Sequence, residues 1–407
     1  MSNSYNLTVM QEQEAAESDK PPSNFPRPAR PWRVALIANV KGETALPADA
    51  PADAGAEFDR IETIQAILDS IESDGHHAIL IPADLNLPFA LRDVRPDICF
   101  NIAEGQIGDS REAQVPALLE MFNIPYTASR VLANAIGLDK TMTKRIWRQQ
   151  GLPTAAFQEF ATGYEPLSRT LAFPMFVKPA REGTGMGMDE NAIVCNETEL
   201  RRRVAWVIEE YRQPALVEEY LPGREFTVAV LGRSDAALYS PRPEIYQRDG
   251  FHHFPVLEVE STHSVTPGVY GHAAKTKTFG EDGMPGIYCP ANIAPALAEH
   301  LNTLAIRGHQ AIGSLDVSRI DFRLNEEGKP YMLEINTLPG LTPDFSDLCM
   351  IAKAEGLTYR QLIIEILYLG ASRYGLLPAR SGFPLRAVRR AQQQVRKPAP
   401  VAVGAAA

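Results

Sequence analysis

Alternating stretches of apolar and polar residues divide the amino-terminal part of the chain into short predicted elements. Arg33–Ala38 is an apolar run typical of a buried strand, and Arg60–Ser73 has the apolar spacing of an amphipathic helix. Further apolar runs predict strands at Ala78–Ile81 and Ile98–Phe100 and a helix at Val115–Phe122. Strands that alternate with helices usually form a parallel sheet, with ligands at the carboxyl ends of the strands. The pattern therefore predicts an α/β domain.

The rest of the chain mixes strands and helices less regularly. Leu138–Gly151 is predicted as one helix, because Gly151 and the Pro153 beyond it are typical helix stops. The other predicted elements are strands at Phe173–Lys178, Ala215–Tyr220 and Phe226–Leu231 and helices near Glu199–Glu210, at Pro295–Ile312 and at Tyr359–Ser372. A stretch rich in Gly, Pro and His, 240–290, is predicted as a long loop. This part is expected to be α+β.

The segment 319–336 predicts a hairpin whose two faces differ in polarity. We place its two-residue turn at Glu327-Gly328. Side chains alternate along a strand, so one face carries two directly opposed polar pairs. These pairs are Asp321 with Glu334, and Arg319 with Asn336. The apolar side chains of the other face are Ile320, Phe322, Leu333 and Ile335.

The polar face of this hairpin is a candidate metal site. Two carboxylates directly opposite each other repel unless a positive charge lies between them. Asp, Glu and Asn oxygens are hard ligands that suit Mg²⁺. A solvated face of an antiparallel sheet explains the same pattern without a metal. The presence of Arg319 and Asn336 on that face favours a site for Mg²⁺ and phosphate.

Two further segments carry weaker signals. In Phe176–Met188, Lys178 ends a strand and a Gly-rich loop follows, which suits phosphate binding but matches no P-loop or dinucleotide motif. A flexible turn is the alternative. In Leu216–Phe226, acidic residues lie on both sides of a Pro-Gly break between two strands. Exposed acids at a linker are the alternative there.

Composition excludes several classes of protein. The chain has 407 residues, 45% of them hydrophobic and 22% charged, which is typical of a globular protein with two or three domains. A net charge of −10 argues against nucleic-acid and membrane partners. The four cysteines form no C-x-x-C pair and no apolar run is long enough to span a membrane, so we expect a cytoplasmic protein with reduced thiols. Histidines match no zinc motif.

Both ends of the chain are expected to be disordered. Residues 1–31 are polar and then Pro-rich, and cannot bury enough apolar surface to offset the cost of ordering. Residues 377–407 are predicted to be a basic tail, because from Arg380 onward they contain Arg and Lys but no acid.

Taken in order, the three polar segments resemble the ATP-grasp ligases, and most closely the D-alanine–D-alanine ligase family. The shared patterns are K-P-x-R-E-G-x-x-x-G-M, then E-x-x-L-x-G-x-E-F-T-V, then R-I-D followed by L-E-x-N-T-x-P-G. The likeness also covers Pro125-Tyr126-Thr127 and Leu138-Asp139-Lys140 and continues to about residue 370.

The resemblance implies a three-part ATP-grasp architecture. An N-terminal α/β substrate domain with a parallel sheet would span 32–137. A central ATP-grasp domain would span 138–223, and a C-terminal ATP-grasp domain with an active-site flap would span 224–376. ATP would lie between the last two.

The resemblance also assigns roles to individual residues. The nucleotide-binding positions are Lys140, Lys178, Glu182, Gly183, Thr184, Glu218, Leu221 and Glu225. The metal-binding positions are Asp321, Glu334 and Asn336. The catalytic positions are Arg319, Gly340 and Lys277, with Lys275 as a competitor for the last.

The substrate positions depart from the family pattern. Glu57, in the long Ala-rich loop 39–59, is the nearest candidate for the acid that meets the first amino acid's ammonium group. Phe345 lies where family members have a Ser that holds the second substrate's carboxylate, and Ser346 follows it. The family's flap Tyr has no clear counterpart, since Thr278 follows Lys277. The family's His-Gly stretch is replaced by residues 101–112.

The function implied by the resemblance is an ATP-dependent carboxylate–amine ligase. It would form a peptide bond between small amino acids through an acyl phosphate, using ATP and two Mg²⁺ ions, with Mn²⁺ as a substitute. A homodimer with no nucleic-acid or membrane partner is expected. The alternatives are a ligase for a different amino acid or a specialised-metabolite acid, and a nucleotide-binding regulator without catalysis. The complete set of charged site residues argues against the regulator.

Overall fold

The computed structural model describes residues 27–266, 268–275, 277 and 281–380. The predictions for residues 1–26, for Thr278 and for the tail from residue 381 fall outside these residues. Among the described helices, none is long and apolar enough to cross a membrane.

The amino-terminal part is a three-stranded parallel sheet, as predicted. Strand β1 (Arg33–Ala38) lies between β2 (His77–Pro82) and β3 (Ile98–Asn101). Three helices accompany this sheet: α1 (Ile61–Ser73), α2 (Leu87–Val94) and α3 (Gln114–Met121). Helix α2 was not predicted, because it is short and buries only two of its residues, too few for a recognisable period.

The helix predicted over Leu138–Gly151 is confirmed with slightly shorter bounds, and a second helix that was not predicted precedes it. The structure has two helices, α4 (Val131–Leu138) and α5 (Lys140–Gln149), separated at Asp139. The backbone of Asp139 is extended, and its carboxylate accepts a hydrogen bond from Met142 N at 2.8 Å. Aspartate is a preferred N-cap, so this residue ends one helix and starts the next.

The central part is a four-stranded antiparallel sheet in the order β4-β7-β5-β6. Its strands are β4 (Phe157–Phe160), β5 (Met175–Pro179), β6 (Ile193–Val194) and β7 (Ala215–Glu219). Helix α6 (Glu197–Tyr211) contributes Leu200, Val204 and Val207 to the core of this sheet. Strand β4 was not predicted.

The carboxy-terminal part is a six-stranded sheet in the order β11-β10-β8-β12-β13, with β9 paired to β8. Its strands are β8 (Glu225–Gly232), β9 (Phe251–His253), β10 (Leu257–Glu260), β11 (Gly286–Tyr288), β12 (Val317–Leu324) and β13 (Pro330–Asn336). Its helices are α7 (His272–Lys275), α8 (Pro295–Ala311), α9 (Asp347–Ala354) and α10 (Tyr359–Ser372). The predicted long loop 240–290 therefore holds three strands and a short helix.

The hairpin β12–β13 keeps the predicted polar pairs but not the predicted turn. Asp321 pairs with Glu334, and Arg319 with Asn336. The register shifts between Asp321 and Phe322, so Phe322 pairs with Met332 and the strands are joined by the loop 325–329. A β-bulge adds one residue to one strand.

The bulge changes the direction of one side chain. Met332 packs in the apolar core beneath the sheet, whereas Leu333, predicted to lie there, faces a pocket. The predicted turn is wrong by one residue in register, and the bulge shifts the register back by one residue. The polar pairs beyond the bulge, far from the turn, were therefore predicted correctly.

The cores do not follow the predicted domain limits. Helix α5, placed by sequence in the central part, packs on the six-stranded sheet, where Trp147 Nε1 donates a hydrogen bond to Gly308 O at 3.2 Å. Helix α10 packs against the amino-terminal sheet, with Tyr368 beside Trp32.

Two residues just outside the predicted terminal limits make contacts with the folded part. Leu377, assigned to the tail, is buried in the same core as Trp32. Arg30, assigned to the disordered start, forms an ion pair with Asp97.

Candidate active site

The hairpin β12–β13, the Gly-rich loop after β5 and the loop before α1 surround a cavity. Several of the sequence-predicted residues line this cavity: Glu57, Thr184, Lys277, Arg319, Asn336, Gly340 and Ser346. The structure thus brings together side chains from all three parts of the chain.

A narrower pocket lies beside this cavity. Four residues predicted to bind a nucleotide line it: Lys178, Glu218, Leu221 and Glu225. The apolar side chains of Phe176, Leu333 and Val269 form much of the rest of its wall. Tyr270, which sequence reasoning missed, lines both the cavity and the pocket. The pocket therefore combines apolar walls with charged groups.

Acidic and basic side chains alternate around Lys178. Its ammonium group lies 2.8 Å from Glu218 Oε1 and 3.8 Å from Glu334 Oε2, and Lys140 Nζ lies 3.5 Å from the same Glu334 oxygen. Burial lowers the pKa of Lys178, but the two carboxylates outweigh it and raise that pKa. Lys178 is therefore positively charged at neutral pH.

Glu334 is ionised in this arrangement. Burial raises the pKa of its carboxyl group, but four surrounding cations lower it by more, so the pKa lies below its usual value. These cations are Lys140, Lys178, Lys275 and Arg319. Repulsion between the opposed carboxylates Asp321 and Glu334 is thus offset by protein cations.

The polar face of the hairpin fits a hard divalent cation. Asp321, Glu334 and Asn336 present oxygen atoms along it, and Asn336 Nδ2 is buried without a hydrogen-bond partner. Within the described ranges, no group of three His, Cys, Asp or Glu residues is placed to hold a metal. Two carboxylates and an amide would therefore leave coordination positions for oxygens of a bound phosphate.

Arg319 is held by two carboxylates. Its Nε and Nη2 atoms donate to Asp321 at 3.0 and 2.9 Å, and its Nη1 lies 3.2 Å from Asp347. Burial lowers the pKa of Arg319, and the carboxylates raise it by more, so the guanidinium is charged. Asp347 was not predicted as a site residue, since it is the first residue of α9 with no recognisable motif.

The two candidate flap lysines differ in their surroundings. Lys275 Nζ lies 4.8 Å from the ring centre of Tyr270, and its charge lowers the pKa of Glu334. Lys277 also lines the cavity, but its ammonium group lies 4.0 Å from Glu281. The structure therefore favours Lys275 over the predicted Lys277 as the lysine beside the charged site.

Glu57 lies in the cavity wall but is already paired. Its carboxylate is 2.8 Å from Arg111 Nη2, and the same nitrogen lies 2.9 Å from Glu182. The carboxylate of Glu182 also accepts a hydrogen bond from Gln213 and lines a different pocket, so a contact of this side chain with the nucleotide stays a prediction. Only its backbone oxygen faces Lys140. A Cβ at Gly183 would collide with Glu57, which explains the glycine there.

Two further acids, Glu104 and Glu112, line the same cavity. Burial and the charge of Glu57 raise the pKa of Glu112 to about 7. Burial, Glu57 and Glu112 raise the pKa of Glu104 well above its usual value. Both residues lie in the stretch that departs from the family pattern, so no motif could indicate their place.

Phe345 and Ser346 lie side by side at the carboxy-terminal edge of the cavity. The Phe345 side chain is exposed in its wall. The Ser346 hydroxyl accepts a hydrogen bond from Thr342 N at 3.0 Å. A Cβ at Gly340 would lie 2.9 Å from this hydroxyl, so a side chain at Gly340 would displace Ser346.

Comparison with known proteins agrees with this site. The family model described as D-ala D-ala ligase C-terminus matches residues 146–368, more than half of the chain. A D-alanine–D-alanine ligase of Bordetella avium is 32% identical over 302 residues, which cover 74% of this chain and 86% of that protein. One of Carboxydothermus hydrogenoformans is 30% identical over 321 residues, covering 76% and 93%.

The chain belongs to the D-alanine–D-alanine ligase family.

The fold agrees with this membership. A crystal structure of D-alanine–D-alanine ligase from Bacillus anthracis, complexed with ATP, superposes with a TM-score of 0.62 at 20% identity. The superposition covers 84% of this chain and 99% of that one. Like other members of the D-alanine–D-alanine ligase family, the chain is an ATP-dependent ligase that forms C–N bonds and uses ATP with a divalent cation.

Proposed function

We propose that this ligase joins two small amino acids, D-alanine or close relatives, through an acyl phosphate formed in the large cavity. The observation that supports this most strongly is the lining of that cavity. It combines cations suited to a phosphoryl group, Lys275 and Arg319, with an acid suited to an ammonium group, Glu57. A regulator without catalysis would have no need for this combination.

The narrower pocket suits the nucleotide. Its apolar wall, formed in part by Phe176, Leu221 and Leu333, would receive the adenine ring, and Glu225 would accept hydrogen bonds from the ribose. Lys178 lies at the same pocket, and Lys140 lies beside the Glu334 carboxylate that both lysines share. Phosphates that extend from this pocket toward the cavity would pass both ammonium groups.

Asp321, Glu334 and Asn336 would hold two Mg²⁺ ions, with Mn²⁺ as a substitute. When bound, these ions would supply positive charge to the phosphate oxygens. The chain contributes Arg319 as a fixed cation beside them, because Asp321 and Asp347 hold its guanidinium in place.

The reaction has two steps. A carboxylate oxygen of the first amino acid attacks the γ-phosphorus of ATP, and ADP leaves. The neutral amine of the second amino acid then attacks the acyl carbon, and phosphate leaves with that carboxylate oxygen. Glu57 would orient the first ammonium group, while Arg319, Lys275 and the backbone of Gly340 would face the transferring phosphoryl group. Thr184, from the Gly-rich loop, would help to exclude water.

The acceptor end favours an amine substrate other than D-alanine as a second candidate. Phe345 cannot donate a hydrogen bond to a carboxylate. The Ser346 hydroxyl accepts a hydrogen bond from Thr342 N, and its own proton can still be donated to a carboxylate. The carboxylate of the second substrate is therefore held by Ser346 instead of residue 345, or the second substrate differs from D-alanine. The homodimer, the cytoplasmic location, the absence of nucleic-acid or membrane partners and the domain limits remain predictions.

A screen of phosphate release tests this proposal. Purified protein is supplied with ATP, Mg²⁺ and single or paired D- and L-amino acids. Phosphate release is measured, and the products are identified by mass spectrometry. We expect phosphate release that depends on an amino acid, with a dipeptide of matching mass. Phosphate release without any new C–N bond, across the whole screen, would contradict the proposal.

A further inference from the structure

Lys144, in the middle of α5, is a fully buried lysine that no motif assigned to the site. It lines neither the cavity nor the nucleotide pocket. Burial of a lysine ammonium group is costly unless it is paired. The partners of the Lys144 ammonium group therefore indicate the role of its charge.

The surroundings of Lys144 hold its ammonium group firmly. Nζ donates hydrogen bonds to Thr154 Oγ1 at 2.8 Å and to Met332 O at 3.3 Å. It also lies 2.6 Å from Glu218 Oε2. Burial lowers the pKa of Lys144 by more than the adjacent Glu218 carboxylate raises it. Both Lys144 and Lys178 lower the pKa of Glu218, which keeps that carboxylate ionised.

Glu218 is thus shared between two lysines. One oxygen faces Lys178, which lines the nucleotide pocket, and the other faces Lys144, which does not. If Lys144 were absent, one buried oxygen of Glu218 would lose its cation. The carboxylate would then draw the Lys178 ammonium group toward itself or take up a proton.

Lys144 also sets the net charge behind the phosphates. The alternating group Lys140, Glu334, Lys178, Glu218 and Lys144 contains three ammonium groups and two carboxylates. Its single net positive charge is available to attract a polyphosphate. Loss of Lys144 would leave the group neutral.

We propose that Lys144 is a positioning residue for ATP, which acts through Glu218 to keep the Lys178 ammonium group directed at the phosphates. This proposal rests on the nucleotide-binding role proposed above for Lys178. Lys144 itself touches no substrate. Substitution of a purely structural residue would lower stability or affect every substrate. Substitution of Lys144 is expected to lower only the affinity of the folded protein for the nucleotide.

The test uses Lys144→Gln, which removes the charge but retains groups that can bond to Thr154 and Met332 O. Arg145→Gln, at an exposed position of the same helix, is the matched control. The readouts are the calorimetric Kd for a non-hydrolysable ATP analogue with Mg²⁺, and the KM values for ATP and for the amino acid substrate. We expect a loss of about tenfold or more in nucleotide affinity, with the amino acid KM within about twofold of wild type.

A second pair of variants separates this inference from the proposed function. Lys178→Met is expected to weaken nucleotide binding. The double variant Glu218→Gln, Lys144→Gln is expected to bind the nucleotide no more weakly than Glu218→Gln alone, because Lys144 acts through Glu218. If Lys178→Met binds nucleotide normally, the proposed role of Lys178 fails. If Lys178→Met binds weakly while folded Lys144→Gln binds normally, only the present inference is wrong. Should Lys144→Gln not fold, Lys144→Met, which matches the aliphatic stem, provides the same comparison.

Discussion

At the scale of single residues, every carboxylate of the metal face lies against a cation. Asp321 accepts from Arg319, and Glu334 lies within 4 Å of both Lys140 and Lys178. The cations around Glu334 hold the pKa of its carboxyl group below its usual value, so this carboxylate is ready for a divalent cation. Removing either negative charge would both weaken cation binding and leave protein cations unbalanced.

We therefore expect Asp321→Asn or Glu334→Gln to lower turnover by at least roughly a hundredfold. The measurement is amino-acid-dependent phosphate release at saturating ATP and Mg²⁺. Glu327→Gln, at an exposed position in the loop of the same hairpin, is the control and should retain full activity. Near-normal turnover in either site variant would exclude the hairpin as the metal face.

The acceptor end gives a second prediction at this scale. Phe345→Ser supplies a hydroxyl where Phe345 lines the cavity, so we expect the rate with D-alanine as the only amino acid to rise by about tenfold. Ser346→Ala removes the hydroxyl that binds Thr342 N, and should lower activity with whichever amine the wild type prefers. Product dipeptides are quantified by mass spectrometry.

Two results would count against this interpretation of the acceptor end. One is rapid D-alanyl-D-alanine formation by wild type that Ser346→Ala leaves unchanged. The other is an unchanged or lower D-alanine rate in folded Phe345→Ser.

Sequence reasoning could place residues that belong to short motifs with a fixed spacing. It could not predict ion pairs between segments that lie far apart in the sequence. Lys178, Asp321, Glu334 and Asn336 lie where sequence reasoning placed them, because each belongs to a short pattern on a strand. The pairing of Arg111 with both Glu57 and Glu182 joins distant segments, and no local pattern contains it. Sequence reasoning could not find these partners of the Glu182 side chain for that reason.

At the scale of helices and strands, the differences between prediction and structure occur at a helix cap and at a β-bulge. Asp139 caps the amino terminus of α5, so this helix begins at Lys140 and not at the predicted Leu138. The bulge after Asp321 reverses the side-chain phase and sends Leu333 into the nucleotide pocket. Strands with steady apolar runs, such as Arg33–Ala38, were predicted correctly.

Helix α10 carries a buried acid whose protonation is linked to stability. The carboxylate of Glu365 is fully buried and accepts hydrogen bonds from Ser240 Oγ at 2.8 Å and from Tyr246 Oη at 2.9 Å. Burial outweighs these bonds and raises its pKa from 4.5 to about 7. Because the native state holds the proton more tightly than the unfolded chain, this contribution to stability is complete below about pH 4.5 and is lost as the pH rises to about 7.

We expect Glu365→Gln to remove this pH dependence. The free energy of unfolding of wild type, relative to the variant, should fall by roughly 3 kcal/mol between pH 4.5 and pH 8. Urea titrations at several pH values measure it, with Glu299→Gln on an exposed face of α8 as the control. A constant difference between wild type and Glu365→Gln over that range would show that burial does not perturb this acid.

At the scale of the whole molecule, the cavity exists only where three sheets meet. The loop before α1 supplies Glu57, the Gly-rich loop after β5 supplies Thr184, and the six-stranded sheet supplies Arg319. The first of these loops is tied to the central part, because Asp53 accepts hydrogen bonds from Tyr211 Oη at 2.8 Å and from Gly187 N at 3.0 Å. The order of the parts could be predicted from the motifs. The packing of α5 and α10 across predicted domain limits depends on tertiary contacts that a pattern along the chain does not contain.

Under the proposed function, ATP phosphorylates a carboxylate of one amino acid in this cavity before the C–N bond forms. The most direct measurement uses the amino acid that best supports phosphate release, labelled with oxygen-18 in its carboxylate. An acyl phosphate transfers one carboxylate oxygen to phosphate, so we predict that each phosphate released in dipeptide formation carries one labelled oxygen, with ADP as the other product. Unlabelled phosphate, or AMP and pyrophosphate in place of ADP and phosphate, would contradict the account.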